Sequence, residues 1–238
     1  MADMKDLDGR KALVTGSATG LGRSLAVKLA ERGADVIINC ARSVTEAEET
    51  MALCQAAGAQ ARLVQADVAE EEGAKALADA AGAWGRLDIL INNAGITRHA
   101  RDHSDLDALS KDDFMATYAV NVVGPFLVMQ ACKGLLEAAH DQTGRSSAVL
   151  NTSSIAGVTG IGSSVAYAAT KGALNTMTLS LARALAPKIR VNAVCPGFIG
   201  TRGFKDEMGP EQYDKLEAAV RAATPLAAAS GPDDIADA

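Results

Sequence analysis

The sequence reads Ala12-Leu13-Val14-Thr15-Gly16-Ser17-Ala18-Thr19-Gly20-Leu21-Gly22 close to its beginning. The apolar residues before the turn predict a short buried strand, and a helical pattern follows the glycines. This order brings backbone N–H groups and the positive end of a helix against a pyrophosphate. Glycine permits the tight turn and the close approach of a ligand to the backbone. The alternative is a turn without a ligand, which its place at the first strand–helix junction disfavours.

Strand-like apolar segments alternate with helical segments along the whole chain. The predicted strands are Lys11–Val14, Asp35–Cys40, Ala61–Ala66, Leu87–Ile91, Ala148–Thr152 and Ile189–Cys195, and the predicted helices are Leu21–Arg32, Val44–Ala57, Glu71–Ala83, Lys111–Ala139 and Ser164–Ala186. Continuous apolar strands indicate a sheet that is covered on both faces, and the alternation predicts right-handed crossovers. We therefore expect an α/β protein with a doubly wound parallel sheet, in a single domain over residues 1–238.

Composition and charge narrow the possible partners and compartment. The chain has 238 residues, of which 48% are hydrophobic, and a net charge of −6, which disfavours nucleic acid because phosphate backbones attract basic surfaces. No apolar run approaches the about 18–20 residues of a membrane span, so we expect no membrane partner. The scattered cysteines lack a C-x-x-C pair, which favours reduced thiols in a cytoplasmic protein.

Tyr167 and Lys171 are four residues apart, so on a helix they project from the same face. A nearby ammonium favours the phenolate and lowers the pKa of a tyrosine, which allows proton transfer near neutral pH. The same spacing occurs on ordinary solvated helices and is a weak signal alone. Its position downstream of the glycine turn favours a catalytic pair.

Taken together, these motifs resemble the short-chain dehydrogenase/reductase family. The matching stretches are Thr15–Gly22, Asn92-Asn93-Ala94-Gly95, the ordered set Asn121, Ser154, Tyr167 and Lys171, and Pro196-Gly197. The resemblance covers nearly the whole chain and implies a Rossmann fold. It also implies that the four residues of the ordered set form the catalytic tetrad.

The resemblance implies a role for each member of the tetrad. Tyr167 would protonate the carbonyl oxygen, and Ser154 would donate a hydrogen bond to the same oxygen. Lys171 would lower the pKa of Tyr167 and bind the nicotinamide ribose, while Asn121 would hold a water that links Lys171 to solvent. Side-chain bonding inside a helix is the alternative role for Asn121. Ser153 competes with Ser154, but the spacing to Tyr167 favours Ser154.

The resemblance also implies a set of residues that contact the cofactor. Asp67 would bind the adenine amine, and capping of the helix that begins near Glu71 is its competing role. Ile199 and Thr201 would meet the nicotinamide carboxamide. The expected cofactor-binding residues are Gly16, Ser17, Thr19, Gly20, Leu21, Gly22, Arg42, Asp67, Val68, Asn93, Ala94, Gly95, Tyr167, Lys171, Pro196, Gly197, Ile199 and Thr201.

The end of the second strand decides between the two dinucleotides. An acidic residue there binds the ribose 2′-hydroxyl and repels a 2′-phosphate. This chain has Cys40 at that place, with Arg42 and Ser43 close behind it. We therefore predict NADP as the cofactor, with NAD possible. Thr19 lies where many NADP-preferring relatives carry arginine or lysine, and a solvated surface charge is the alternative role for Arg42.

Several expectations concern the later part of the chain. The resemblance implies a substrate lid over about residues 197–222, in which Phe204 and Met208 are candidates for selecting the substrate. Related enzymes continue to a further strand, so we expect the last strand of the sheet to be absent from this chain. The helix at Ser164–Ala186 is apolar on more than one face, which favours a homo-oligomer, a dimer or tetramer, over cover by a neighbouring loop.

Within the family, the pattern is most similar to 3-oxoacyl-acyl-carrier-protein reductases. We expect an oxidoreductase that acts on CH–OH groups and interconverts a ketone and a secondary alcohol, with a 3-oxoacyl thioester or related carbonyl substrate. Sugar, steroid or other secondary-alcohol dehydrogenases are alternatives. A non-catalytic nucleotide-binding regulatory protein is an alternative from another class, which the complete tetrad disfavours. His99 and His103 lack a third ligand, so we predict no metal site.

Overall fold

The computed structural model describes residues 5–201, 205 and 209–238. Within these residues the strands are β1 (Lys11–Val14), β2 (Asp35–Cys40), β3 (Ala61–Gln65), β4 (Ile89–Asn92), β5 (Ser147–Thr152) and β6 (Ile189–Val194). They form one sheet in the order β3-β2-β1-β4-β5-β6, and every neighbouring pair is parallel. The predicted doubly wound parallel sheet is confirmed.

Helices cover both faces of this sheet. They are α1 (Gly20–Glu31), α2 (Val44–Ala56), α3 (Glu71–Gly82), α4 (Lys111–Tyr118), α5 (Gly124–Thr143), α6 (Ala156–Thr159), α7 (Val165–Leu185), α8 (Pro210–Ala223) and α9 (Pro232–Ala236). Consecutive residues of β1 enter different cores, because side chains alternate along a strand. Leu13 packs in the same cluster as Leu77 of α3 and Leu136 of α5. Val14 lies in the second cluster, with Leu25 of α1.

The predicted helix over Lys111–Ala139 differs from the structure. It is divided into α4 and α5 by a π-helical turn at Ala119–Val123, and α5 extends to Thr143. Pro125 explains the interruption, because proline has no N–H to donate to the carbonyl of Asn121 four residues earlier. Such widened turns are frequent at functional sites. The turn carries Asn121, which is fully buried.

The stretch Lys111–Thr143 also corrects the expectation that no segment approaches a membrane span. By length and composition alone it is apolar enough to cross a bilayer. In the structure, however, Val128, Met129 and Leu136 of α5 are buried in the cluster that packs on the sheet. A core helix that packs on a sheet passes the same test, and these buried residues of α5 belong to such a core.

Two glycines of α3 provide a matched test of how tightly this helix is seated. A Cβ atom on Gly73 would lie 1.9 Å from the carbonyl oxygen of Asp67, whereas one on Gly82 would meet nothing within 4 Å. We expect Gly73→Ala to lower the free energy of unfolding by about 2–3 kcal/mol, because the helix must move off the loop after β3. Gly82→Ala should raise it by up to about 1 kcal/mol. Urea unfolding measures both, and equal effects would contradict the close contact.

Candidate active site

A cleft of about 420 Å³ opens where the loops after β4, β5 and β6 meet. Ser154, Tyr167 and Lys171 all line it, together with the segment Pro196–Ile199. In a doubly wound sheet, ligands bind outside the carboxyl ends of the strands, where this cleft lies. Three members of the predicted tetrad are therefore brought together at the expected edge of the sheet.

A larger cleft of about 850 Å³ lies beside α1 and α2 and shares Thr201 with the first. Its two basic side chains are already paired, Arg23 with Glu49 at 3.0 Å and Lys28 with Asp237 at 2.7 Å. No member of the tetrad lines it. We therefore place the chemistry in the smaller cleft, despite the difference in volume.

Helix α7 is fixed at its beginning by Ser164. This buried residue is the N-cap, and its hydroxyl accepts a hydrogen bond from the backbone N–H of Tyr167 at 3.1 Å. Helix α6 packs closely alongside, since a Cβ on Gly157 would lie 2.4 Å from the carbonyl carbon of Lys171. The position of α7 along the sheet is therefore set by contacts on both sides of the catalytic turn.

The ammonium of Lys171 is held inside the protein. Only 4% of the residue is exposed, and its Nζ donates a hydrogen bond of 2.7 Å to the carbonyl oxygen of Thr152, the last residue of β5. Burial lowers the pKa of Lys171 from 10.5 to about 8. Nζ lies 5.5 Å from the centre of the Tyr167 ring, so the two side chains share a face as predicted.

The expectation of a lowered pKa for Tyr167 is not met in this structure. Burial of the phenol is the largest influence and raises its pKa, while a hydrogen bond with Ser154 lowers it in part. The sequence spacing suggests the lysine–tyrosine contact but not the loss of solvent around the ring, which opposes the charged form. A protonated phenol at neutral pH is suited to donate a proton.

The structure distinguishes the two neighbouring serines. Ser154 accepts a hydrogen bond from the backbone N–H of Ala156 at 3.1 Å and hydrogen-bonds to the Tyr167 side chain. The hydroxyl of Ser153 instead donates to the backbone carbonyl of Lys171 at 3.1 Å. Ser153 therefore fixes the backbone of α7, and Ser154 is the serine beside the phenol.

Asn121 joins the loop after β4 to α7. Its side-chain oxygen accepts from the backbone N–H of Ile96, and its amide nitrogen donates to the Ile96 carbonyl, both at 2.9 Å. The same nitrogen donates to the hydroxyl of Thr170 at 3.1 Å. Gly95 lies between the two sides, since its Cβ would be 3.3 Å from the Asn121 oxygen and 3.7 Å from Nζ of Lys171. The contacts that Asn121 makes are thus positional, and the proposed water relay stays a prediction.

The glycine turn is packed against the segment Asn93–Gly95. A Cβ on Gly16, where φ is +60°, would lie 2.7 Å from Cα of Ala94, and one on Gly22 would lie 2.5 Å from the side-chain nitrogen of Asn93. That nitrogen donates to the carbonyl of Gly16 at 3.0 Å. The hydroxyl of Thr15 accepts from the backbone N–H groups of Asn93 and Ala94, each at 3.0 Å. Asn93 and Ala94 therefore hold the turn in shape.

Asn39 holds the glycine turn, a role that the sequence reasoning missed. Asn39 is a polar residue inside the apolar strand β2, and this departure from the pattern is the signal that could have identified it. Its side-chain oxygen accepts from the backbone N–H of Gly16 at 3.1 Å, and its backbone N–H donates to the hydroxyl of Ser17 at 3.0 Å. Ser17 is fully buried, and both its N–H and its hydroxyl bond to the protein backbone. Its predicted cofactor contact is thus left without a free donor.

The residues near the predicted phosphate sites fit a dinucleotide. Thr19 and Ser43 occupy the N-cap positions of α1 and α2 without accepting a hydrogen bond, so no side chain competes for the first N–H groups of either helix. Arg42 is exposed, and in the described part of the chain its guanidinium makes no ion pair. Cys40 is buried, and no carboxylate replaces it at the end of β2.

The remaining predicted contacts fall into two groups. The first group lines the smaller cleft and consists of Gly95, Pro196, Gly197, Ile199 and Thr201. Gly20 lines the larger cleft instead. The second group lies outside both clefts, and of its members Leu21 and Val68 are buried. Asp67 is exposed, and its carboxylate accepts a hydrogen bond from the backbone N–H of Ala69 at 3.0 Å. This bond forms a turn and does not cap α3, whose N-cap is Glu70. Phe204 and Met208 lie outside the described residues.

The two histidines lie in the loop that borders the cleft. A ring nitrogen of His103 is 3.3 Å from the carbonyl oxygen of Gly162, which lines the cleft from the opposite loop. Among the described residues, no group of three or more histidine, cysteine or acidic side chains is placed to hold a metal ion. These observations agree with a rim position for His103.

A parallel sheet with an uncapped glycine turn, and a buried lysine beside a phenol and a serine, together define an oxidoreductase that uses a dinucleotide. Comparison with known proteins gives the family. Residues 10–211 match the family model described as short chain dehydrogenase. The chain belongs to the short-chain dehydrogenase family and is an oxidoreductase that binds NAD or NADP.

Individual relatives agree with this assignment. The chain is 35% identical to the 3-oxoacyl-acyl-carrier-protein reductase FabG of Staphylococcus aureus, over 96% of this chain and 88% of that protein. It is 34% identical to the L-rhamnose 1-dehydrogenase (NAD(P)(+)) of a Sphingomonas strain, over 98% and 88%. The solved Pseudomonas aeruginosa RhlG/NADP active-site complex is similar with a TM-score of 0.87 and 30% identity, over 100% and 90%.

Proposed function

We propose that this protein is an NADP(H)-dependent reductase that converts a ketone with an apolar flank, such as a 3-oxoacyl thioester, into a secondary alcohol. The observation that carries the proposal is the convergence of Ser154, Tyr167 and Lys171 in one cleft whose rim is apolar. The bound nicotinamide would supply the hydride. The chain's own residues would orient the carbonyl and deliver the proton.

The proposed roles follow from the positions of the side chains. Tyr167, with its raised pKa, would hold its proton at neutral pH and give it to the carbonyl oxygen as negative charge develops there. Ser154 would donate a second hydrogen bond to the same oxygen. Lys171, whose pKa is about 8, would remain mostly protonated at neutral pH and stabilise the phenolate left behind.

The rim of the cleft supports an apolar ketone. Ile96 is 39% exposed, Ile155 45% and Ile161 75%, and all three line the cleft together with Phe198. Exposed isoleucines around a catalytic tyrosine offer contact to an alkyl chain but no hydrogen-bond partners to the hydroxyls of a sugar. A sugar dehydrogenase is the second candidate, and the likeness to an L-rhamnose dehydrogenase favours it.

One prediction from the proposed function concerns the proton donor. Tyr167→Phe should reduce NADPH-dependent turnover of 3-oxoacyl esters and thioesters by at least about 10²-fold, because the proton source is lost. Absorbance at 340 nm measures turnover, with sugars and diketones in the same panel, and fluorescence should show NADPH binding nearly unchanged.

Ser154→Ala should also lose about 10²-fold in kcat. Ser153→Ala is the matched comparison, and because it removes one hydrogen bond to the backbone of α7 it should lose less than about tenfold in kcat. Full turnover by Tyr167→Phe would exclude this proton donor, and preferential turnover of sugars would favour the second candidate.

A second prediction tests the preference for NADP. If the guanidinium of Arg42 binds the 2′-phosphate, Arg42→Ala should weaken NADPH binding by about 10- to 100-fold, since hydrogen bonds between charged groups are the strong ones. NADH binding should hardly change. Arg190→Ala, which removes an equal charge from an exposed position of strand β6, controls for the net charge. Equal losses for both dinucleotides would remove Arg42 from the phosphate site.

A third prediction concerns assembly. Phe126 of α5 and Leu179 of α7 are 43% and 61% exposed, so each helix carries an apolar residue on a side that the sheet does not cover. We propose that they meet a second copy of the chain, giving a dimer or tetramer. Light scattering should give a mass of two or four chains, and Leu179→Glu should lower it. A wild-type mass of one chain would overturn this part of the proposal.

A further inference from the structure

The segment that follows the catalytic cleft is closed at its base. Ile199 pairs in parallel with Ser230, and the backbone N–H of Gly200 donates to the carbonyl of Ser230 at 2.9 Å. The chain between these points therefore leaves and returns at one place, next to Ile199, which lines the cleft. We call this pairing of 199–200 with 230 the neck.

Helix α8 lies within this segment and has little to hold it. None of its residues is buried, so packing along the helix contributes little to its position. Tyr213 is its sole aromatic residue, and this side chain reaches the neck. A Cβ on Gly200 would lie 2.4 Å from the hydroxyl of Tyr213, which shows how closely the tyrosine approaches the backbone.

The same tyrosine touches the wall of the cleft. The ring centres of Tyr213 and Phe198 are 6.1 Å apart with a tilt of 50°, within the range of favourable aromatic pairs. Phe198 lines the cleft that contains Tyr167. Nζ of Lys205 lies 5.5 Å from the centre of the Tyr213 ring. Tyr213 is thus the point where α8, the neck and the substrate wall meet.

We propose that Tyr213 is a positioning residue that latches α8 onto the neck at Gly200 and thereby fixes Phe198 as a wall for the apolar part of the carbonyl substrate. This inference rests on the proposed function, because it concerns the same cleft. It adds a residue outside the tetrad that controls the KM for the ketone. The latch requires glycine at position 200, since any side chain there occupies the place of the tyrosine hydroxyl.

The geometry allows the latch to be opened and restored by single atoms. Gly200→Ala places a methyl group against the hydroxyl of Tyr213, so the tyrosine must leave the neck. In Tyr213→Phe the hydroxyl is gone, and the next atoms would lie 3.7 Å from the new methyl group, an ordinary contact. Gly200→Ala should therefore displace α8 from the neck when it is made alone, and should hardly displace it when it is combined with Tyr213→Phe.

Limited digestion with trypsin tests the latch without any activity. In Gly200→Ala, cleavage after Lys215 and Arg221 of α8 should be about tenfold faster than in the wild type, because the displaced helix opens more often. The double variant Gly200→Ala/Tyr213→Phe should return to the rate of Tyr213→Phe alone. Gly82→Ala, which meets nothing within 4 Å, is the control and should digest like the wild type.

Steady-state kinetics then tests the link to the substrate. Gly200→Ala and Tyr213→Ala should each raise the KM for a 3-oxoacyl substrate by about tenfold, with kcat and the Kd for NADPH within about twofold of wild type. Tyr213→Phe should retain most of the wild-type KM. A wild type without ketone turnover would refute the proposed function, and the digestion would still judge the latch. The latch is wrong if Gly200→Ala digests like Gly82→Ala, or if its defect persists undiminished in the double variant.

Discussion

The buried ammonium of Lys171 is the constraint on which the site depends. A charge removed from water is costly unless it is paired or hydrogen-bonded, and here the carbonyl of Thr152 at the end of β5 receives it. A shift of α7 along the sheet would break that bond and leave the charge without a partner. Ser153 and Gly157 hold the backbone of the same helical turn, one by a hydrogen bond and one by close approach. Tyr167 is positioned as a consequence, because it lies one turn earlier on the helix.

The cofactor turn and the catalytic helix are connected by a continuous set of polar contacts. The hydroxyl of Thr15 holds the backbone of Ala94, and two residues later Ile96 is bound on both sides by the amide of Asn121. Asn121 in turn bonds to Thr170, the neighbour of the catalytic lysine. A displacement of the glycine turn would therefore reach α7 through the buried side chains of Thr15, Asn121 and Thr170. Within the turn, a Cβ on Gly16 or Gly22 would lie less than 3 Å from the segment Asn93–Ala94, which explains the glycines at these two positions.

The sequence predicted features that depend on neighbouring residues in the chain. It did not predict features that depend on residues brought close by the fold. Apolar runs located all six strands within about two residues, because strands buried on both faces are continuously hydrophobic. The spacing to Tyr167 favoured Ser154 over Ser153, and the structure places Ser154 beside the phenol. The π-helical turn was not predicted although Pro125 indicates an interruption of the helix. Hydrophobic periodicity does not depend on whether a single backbone N–H is present. The direction of the Tyr167 pKa was wrong, because the degree of burial is set by loops that are distant in sequence.

The tetrad cannot explain which substrate is chosen. In the proposed reaction its members act on the carbonyl group alone, and that group is common to every ketone. Selection must come from the walls, which are loops after β4, β5 and β6 that the sheet leaves free to vary. In this chain those loops present Ile96, Ile161 and Phe198, and the last of these is held by an aromatic residue from a helix with no buried side chain of its own. We therefore expect the catalytic geometry to depend on the sheet, and the choice of substrate to depend on α8, which has no buried residue.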